Sequence, residues 1–165
     1  MNGREPFPGL TLRVVDEGDV DAIVTAYRSL SPQNIYRRFF TLMPDPGPLV
    51  ERHLSLVDHR DHEALVVLDG SEVVGVAHWD RANCCPGEAE VAITVVEPWQ
   101  RHGLGRVLIR ALAGDARRHG IDTLTATVLA DNRPALGLAA RNHPSGVKVE
   151  GPEAHLVFST AAMVA

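Results

Sequence analysis

Lysine is almost missing from this chain: Lys148 is the only one, although arginine is plentiful. Cysteine is scarce too. Its two representatives, Cys84 and Cys85, are adjacent, which suits neither a disulfide framework nor a zinc site, so they read as small loop residues. No apolar run approaches the roughly 20 residues that cross a bilayer. The opening stretch MNGREPFPG lacks the apolar segment of a signal peptide, which predicts a cytoplasmic protein with no membrane partner. Positive charge is not in excess: the formal net charge is -5, so nucleic acid is not an expected partner. Repeats, low-complexity tracts and interdomain linkers are also missing. A chain of 165 residues without them predicts one domain, with its core over about residues 10–160.

What is present is a patterned globular sequence, 45% apolar and 22% charged. Leu10 to Val15 reads as an opening strand. Asp19 is placed as the N-cap of a helix carrying Val20, Ile23, Val24 and Tyr27 at helical spacing. Ser31-Pro32 starts a second helix, with Ile35, Tyr36, Phe39 and Phe40 as its apolar face. The breaker Asp45-Pro46-Gly47-Pro48 precedes a short helix over Leu49 to Val57. Ala64 to Leu68 and Val73 to Trp79 flank Asp69-Gly70, a hairpin signal. A loop at Cys84 to Gly87 leads to a strand over Glu90 to Val96. The stripe Leu104, Val107, Leu108, Ala111, Leu112 marks a helix ended by Gly120. A strand over Leu124 to Leu129, a helix over Arg133 to Asn142, and strands near Val147 to Glu150 and His155 to Phe158 complete the chain. That order predicts an α/β (α+β) fold: a mixed, mostly antiparallel sheet of six to seven strands with helices on both faces. Parallel pairing is expected only where a helix crosses over between the last strands.

Gly103 and Gly105 fall where a strand has ended and a helix begins. A helix start offers unpaired N–H groups and the positive end of the macrodipole to phosphate oxygens. Glycine lets the backbone approach an anion closely. Arg101 and Arg106 add charge, and Arg110, Arg117 and Arg118 follow along the helix. A dinucleotide fingerprint would need glycine where Leu108 stands, and a P-loop would need a Gly-Lys-Ser/Thr that is not there, so both are excluded.

The segment VVEPWQRHGLGRVLIRAL resembles the signature region of the GCN5-related N-acetyltransferase (GNAT) superfamily, whose core motif is Q/R-x-x-G-x-G/A. The resemblance extends in element order over nearly the whole chain. It is narrowest toward the acetyltransferase domain of bacterial protein lysine acetyltransferases of the Pat type, which carry stretches similar to SPQNIYRRFF, EAEVAITVVEPWQRHGLG and LADNRPAL. It implies the GNAT fold and acetyl-CoA as cosubstrate, with no metal. It also implies that backbone amides of Gln100, Arg101, His102, Gly103, Leu104, Gly105 and Arg106 hold the pyrophosphate. Ile93, Thr94 and Val95 would pair with the pantetheine arm like an added strand, and an open sheet edge suits an arm made of amides. Asn132 would reach the arm or its phosphates, or serve as a plain N-cap.

Acyl transfer to an amine needs a neutral nitrogen, and lysine's pKa of about 10.4 requires a group that takes its proton. In the A-E-V-A pattern the resemblance assigns that role to Glu90, acting through water. Its apolar flanks, Ala89 and Val91 to Ile93, predict desolvation of the carboxylate. Glu88 is the fallback, and Glu97 is placed in the loop. The Val95 N–H is expected to hold the thioester carbonyl. The helix RPALGLAARN lacks the tyrosine that many superfamily members use to protonate the leaving thiolate. His78 and Trp79 are placed at a strand end, and His53, His59 and His62 have no metal-ligand spacing. Tyr36, Arg37 and Arg38 stand at the substrate entrance, or, for Tyr36 and Phe39, in the core. A protein lysine, for example on an acyl-CoA synthetase, is the acceptor that the resemblance implies. A small amine as acceptor, or a non-catalytic acyl-CoA-binding module, remain the alternatives.

Overall fold

In the computed structural model, which describes residues 7–164, two apolar runs fold back on each other as β2 (His62–Asp69) and β3 (Glu72–Ala82). Gly70 supplies the positive φ of 59° that the tight turn needs. Residues 1–6 of the polar opening stretch, and Ala165, lie outside the described residues. β1 (Leu10–Val14) and β4 (Cys85–Val95) pair antiparallel with the outer edges of this hairpin. β4 then pairs in parallel with β5 (Thr123–Leu129), β5 antiparallel with β7 (Glu153–Ser159), and β7 with β6 (Gly146–Glu150). The result is a seven-stranded sheet in the order β1-β2-β3-β4-β5-β7-β6. Its one parallel pair is joined by the crossover helix α4 (Leu104–Arg118), as a strand–helix–strand connection requires.

β2 is buried along six consecutive residues, so both faces of the sheet are covered there. Leu65 and Val67 point to the face covered by α4, where Leu104, Leu108 and Leu112 pack. Ala64, Val66 and Leu68 point to the opposite face and meet Ile23, Val24 and Tyr27 of α1 (Val20–Arg28) and Val50 and Leu54 of α3 (Gly47–Leu54). α2 (Pro32–Phe39) lies on this second face, over β5, while α5 (Arg133–Ala140) reaches the α4 side through Leu138 and Ala139. α6 (Thr160–Val164) packs beside α4. Among the described residues no helix is long and apolar enough to cross a membrane.

Several local expectations change. Asp19 is not the side-chain cap of α1: its carboxylate accepts from the Arg13 guanidinium at 2.6 and 2.8 Å and from the Asp16 N–H. Asp16 and Asp19 instead form a capping box around a 3-10 turn over Glu17–Asp19. α2 buries only Ile35 of its expected apolar face, and Tyr36 is exposed, because this helix rims a cavity rather than packing across the sheet. β3 runs to Ala82, so His78 and Trp79 are mid-strand residues, and the hairpin tip is tighter than a loop at Cys84 to Gly87. Trp79 is fully buried, and its indole Nε1 donates to the buried carboxylate of Asp115 at 3.0 Å. α3 starts at Gly47 and ends at Leu54, earlier at both ends than the expected Leu49 to Val57. α6 was not expected at all, being too short to show helical periodicity.

Gly75 sets the distance between α4 and the sheet. A Cβ there would lie 3.0 Å from Leu108 Cδ1 and 3.4 Å from Leu104 Cδ2. Gly75→Val should therefore push α4 outward and cost on the order of 1–3 kcal/mol by overpacking. Urea unfolding should show this as a lower midpoint with an unchanged slope.

Candidate active site

β4 and β5 hold each other only over Glu88–Glu90 and Thr123–Thr125. Beyond Glu90 the two strands part, although β4 stays paired with β3 as far as Val95 and β5 with β7 as far as Leu129. The inner edge of β4 is thus left without a strand partner. Val96 N donates to Val74 O across the β3 side, which turns the Val95 carbonyl toward the gap, where Gln100 Nε2 donates to it at 2.9 Å. N–H and C=O of one strand residue point the same way, so the Val95 N–H also faces the gap, as do the polar groups of Ile93 two residues back.

At the open end of this fork stands the start of α4. The chain reaches it through a 3-10 turn over Glu97–Trp99 and two left-handed residues, Arg101 (φ 67°) and Gly103 (φ 90°). Gly103 is the N-cap, and among the described residues no side chain caps the helix: Gln100 N donates to Glu97 O and Arg106 N to Gly103 O, each at 3.1 Å, which leaves the Leu104 and Gly105 amides without a protein acceptor. Gly105 also has a packing role. Its missing Cβ makes room for Leu138 of α5, whose Cδ2 would lie 3.3 Å away. Leu104 is a core residue, so only its backbone faces the turn, and His102 is exposed with its ring edge toward Trp99. Arg101 and Arg106 are exposed at the cavity rim. Asn132 lines the cavity and also caps α5, its Oδ1 accepting from Ala135 N at 3.3 Å.

Fork and helix start open into one cavity of about 910 Å³, bounded on the other side by α2, α3 and the second face of the sheet. Glu90 sits at the apex of the fork, paired with Thr125 on one side and Asp80 on the other. It lines the cavity, but it is exposed, so the desolvation expected from its apolar neighbours is not there: Ala89 and Val91 point to the α4 face, away from it. Thr94, on the same face as Glu90, has a buried hydroxyl with no hydrogen-bond partner among the described residues. Glu97 accepts from Ser31 N at 2.8 Å and Asn34 Nδ2 at 2.5 Å, which ties the start of α2 to the loop. Hydrogen bonds from Ser31 hold its carboxyl below the usual range, so it belongs to the scaffold.

Beside Glu90 lies a polar network that the sequence did not announce. His78 and Asp80 alternate along β3 and face the cavity, joined by His53 from α3, His62 from β2 and Arg38 from α2. Arg38 Nη2 donates to His78 Nε2 at 2.6 Å. A guanidinium only donates, so the His78 proton is on Nδ1, which lies 3.1 Å from Asp80 Oδ2 and 3.1 Å from His53 Nε2. His62 Nδ1 is 2.8 Å from Asp80 Oδ1. The grouping of His53, His78 and Asp80 has the composition of a metal triad. The guanidinium on His78, however, keeps Nδ1 protonated and places a fixed positive charge beside it, which makes this a hydrogen-bonded network instead. His59 is elsewhere, pairing with buried Glu63 at 2.9 Å.

Burial, first of all, pushes the His78 imidazole down to about 4, with Arg38 adding to the effect, and His53 is lowered for the same first reason. An unfolded chain takes up the His78 proton from about pH 6.5 downward, whereas the folded one refuses it until nearer pH 4, and His53 resists protonation in the same direction. Stability contributed by the neutral rings is therefore complete above pH 6.5 and lost as the pH falls through that window. Urea unfolding across it should show a steep decline, and a flatter one in His78→Gln.

The acetyltransferase (GNAT) family matches residues 29–143. The chain is 34% identical to acetyltransferase Pat of Mycolicibacterium smegmatis over 123 residues, 73% of this chain but only 37% of that protein's length. The structure superimposes on the GNAT domain of S. lividans PAT with a TM-score of 0.84, at 25% identity over 91% of this chain and 90% of that one. The fold is shared with spermidine N-acetyltransferase from Vibrio cholerae, solved with CoA and spermine, at a TM-score of 0.73 and 18% identity over 96% and 100% of the two chains. With a forked sheet, an uncapped glycine-led helix start and a family match over most of its length, this chain belongs to the acetyltransferase (GNAT) family.

Proposed function

We propose that this protein is an acetyl-CoA-dependent N-acetyltransferase that modifies a lysine side chain of a protein. The observation that carries the reading is the fork: an unpaired β4 edge that runs into an uncapped helix start. The pantetheine arm is a chain of amides that fits such an edge, and a pyrophosphate fits the unpaired amides at the start of α4, those of Leu104 and Gly105 among them. Among the described residues, the unpartnered Thr94 hydroxyl lies on the same strand, beside the cavity that such an arm would enter. Ile93 and Val95 offer backbone groups to the arm, Arg101 and Arg106 offer charge to the phosphates, and Asn132 stands at the gap's far wall. The lysine acceptor rests on the resemblance of residues 31–40, 88–105 and 129–136 to Pat-type domains.

Bound acetyl-CoA supplies an acetyl thioester, which an amine converts to an amide with release of the thiol. Glu90, exposed at the fork apex, takes the ammonium proton through water. Asp80 adds negative charge on the same face, which draws the ammonium in. The Val95 N–H faces the position where the carbonyl oxygen becomes an oxyanion. α5 carries no tyrosine, so the thiolate takes its proton from solvent, which a thiol pKa of about 8.5 permits.

Acetylation of a cell extract with labelled acetyl-CoA, resolved into protein and small-molecule fractions, tests the acceptor: label should enter lysines of protein, and label confined to small amines would overturn that choice. Glu90→Gln should leave acetyl-CoA binding by calorimetry intact and lower kcat/KM roughly 10²–10⁴-fold. Gly105→Glu should crowd the helix start with a carboxylate and weaken acetyl-CoA binding at least about tenfold. Gly105→Ala, needing only a small shift of Leu138, should keep most of the affinity.

A further inference from the structure

Arg38 is a cation without an anion. It lines the cavity from α2, yet among the described residues no carboxylate pairs with it. Its one protein hydrogen bond, from Nη2, goes to the neutral ring of His78, and the guanidinium lies over the Phe39 ring at 4.9 Å. Its Nε is buried and has no partner among the described residues. The nearest acid of the network, Asp80, is already engaged by His62 and His78. A buried donor left without a partner is costly, which leaves the guanidinium poorly satisfied by the protein alone.

The placement gives the acceptor side of the cavity two poles. Glu90 and Asp80 on the sheet attract a cation, and Arg38 on the helix opposite offers a fixed fork of donors suited to a planar anion. His78 holds that fork by one nitrogen and, being uncharged, neutralises none of its charge.

We infer that Arg38 recognises a carboxylate on the acceptor, so that the preferred substrate is an amine carrying a carboxylate near the nitrogen that is acetylated. A lysine with an acidic neighbour in a protein and a free amino acid with its own carboxylate share this chemistry. The inference rests on the acetyltransferase reading above.

Paired acceptors test it. Release of CoA from acetyl-CoA is measured with lysine pentapeptides bearing Glu or Gln beside the lysine, and with free amino acids against their amides. In the wild-type protein one pair should favour its carboxylate member by roughly tenfold or more in kcat/KM, the size expected for a charge-assisted contact. Preference within the peptides identifies a protein source for the carboxylate, and preference within the amino acids a small-molecule source. Arg38→Met should abolish the preference mainly through KM, and Arg38→Lys should restore part of it. Lack of preference in the wild type, no turnover of any carboxylate-bearing acceptor, or equal loss on both members of a pair in Arg38→Met would overturn the inference. Calorimetry with acetyl-CoA separates the two levels. A wild-type protein that does not bind it defeats the acetyltransferase reading itself, whereas binding without a carboxylate preference defeats only the role of Arg38.

Discussion

A strand that leaves its neighbour must settle the backbone groups it uncovers, and the site of this protein is built around that requirement. β4 and β5 are held together by three residue pairs and then diverge, while each keeps its partner on the other side. The inner edge of β4 is therefore polar, extended and held in place by a full ladder to β3. Gln100 closes the last carbonyl of that edge, so the opening ends where the helix start begins. An edge of this kind is a hazard on the outside of a sheet, but inside a cleft it is a ready partner for one extended chain.

The fork persists because the packing on both faces is separate. α4 is seated against β3 by the missing side chain of Gly75 and draws its N-terminus to the mouth of the fork. α1 and α3 cover the other face of β2 and β3 with a second apolar cluster, leaving α2 free to stand over β5 and the cavity. Glu97 links these halves, since its carboxylate receives donors from the start of α2 while its backbone belongs to the loop that leads into α4. A shift in either layer would move the helix start relative to the acceptor wall.

Much of this was legible in the sequence because it is local. The hairpin at Gly70, the glycine-led start of α4, its C-terminal Gly120 and the Ser31 cap of α2 are all set by short stretches whose conformational needs are visible one residue at a time. The fork itself was legible only through family resemblance, since the separation of two strands joined by a 15-residue helix leaves no local pattern. The network of Arg38, His53, His62, His78 and Asp80 was illegible for the same reason: five residues from four elements meet only after the sheet has formed. The alternation of His78 and Asp80 along one strand was its single trace. Glu90 shows the opposite error. Its apolar neighbours suggested burial, but period-two alternation sends Ala89 and Val91 to the far face and leaves the carboxylate at the rim.

That exposure changes how the site must use its charges. A carboxylate in contact with water gains little from local desolvation, so position rather than a distorted environment is what Glu90 would contribute to the proposed reaction. The buried part of the electrostatics lies beside it, where Asp80 is surrounded by histidine rings and Arg38, from α2 opposite, is held against one of them. Fixed charges half out of water act more strongly on an incoming group than mobile ones at the rim. In the proposed reaction the division is between a solvated base that moves the proton and a rigid, partly buried pair of opposite charges that orients the acceptor. On that proposal, placing the orienting charges on α2 and β3, and the donor's cradle on β4 and α4, would let the two halves of the cleft serve different molecules while meeting at a single carboxylate.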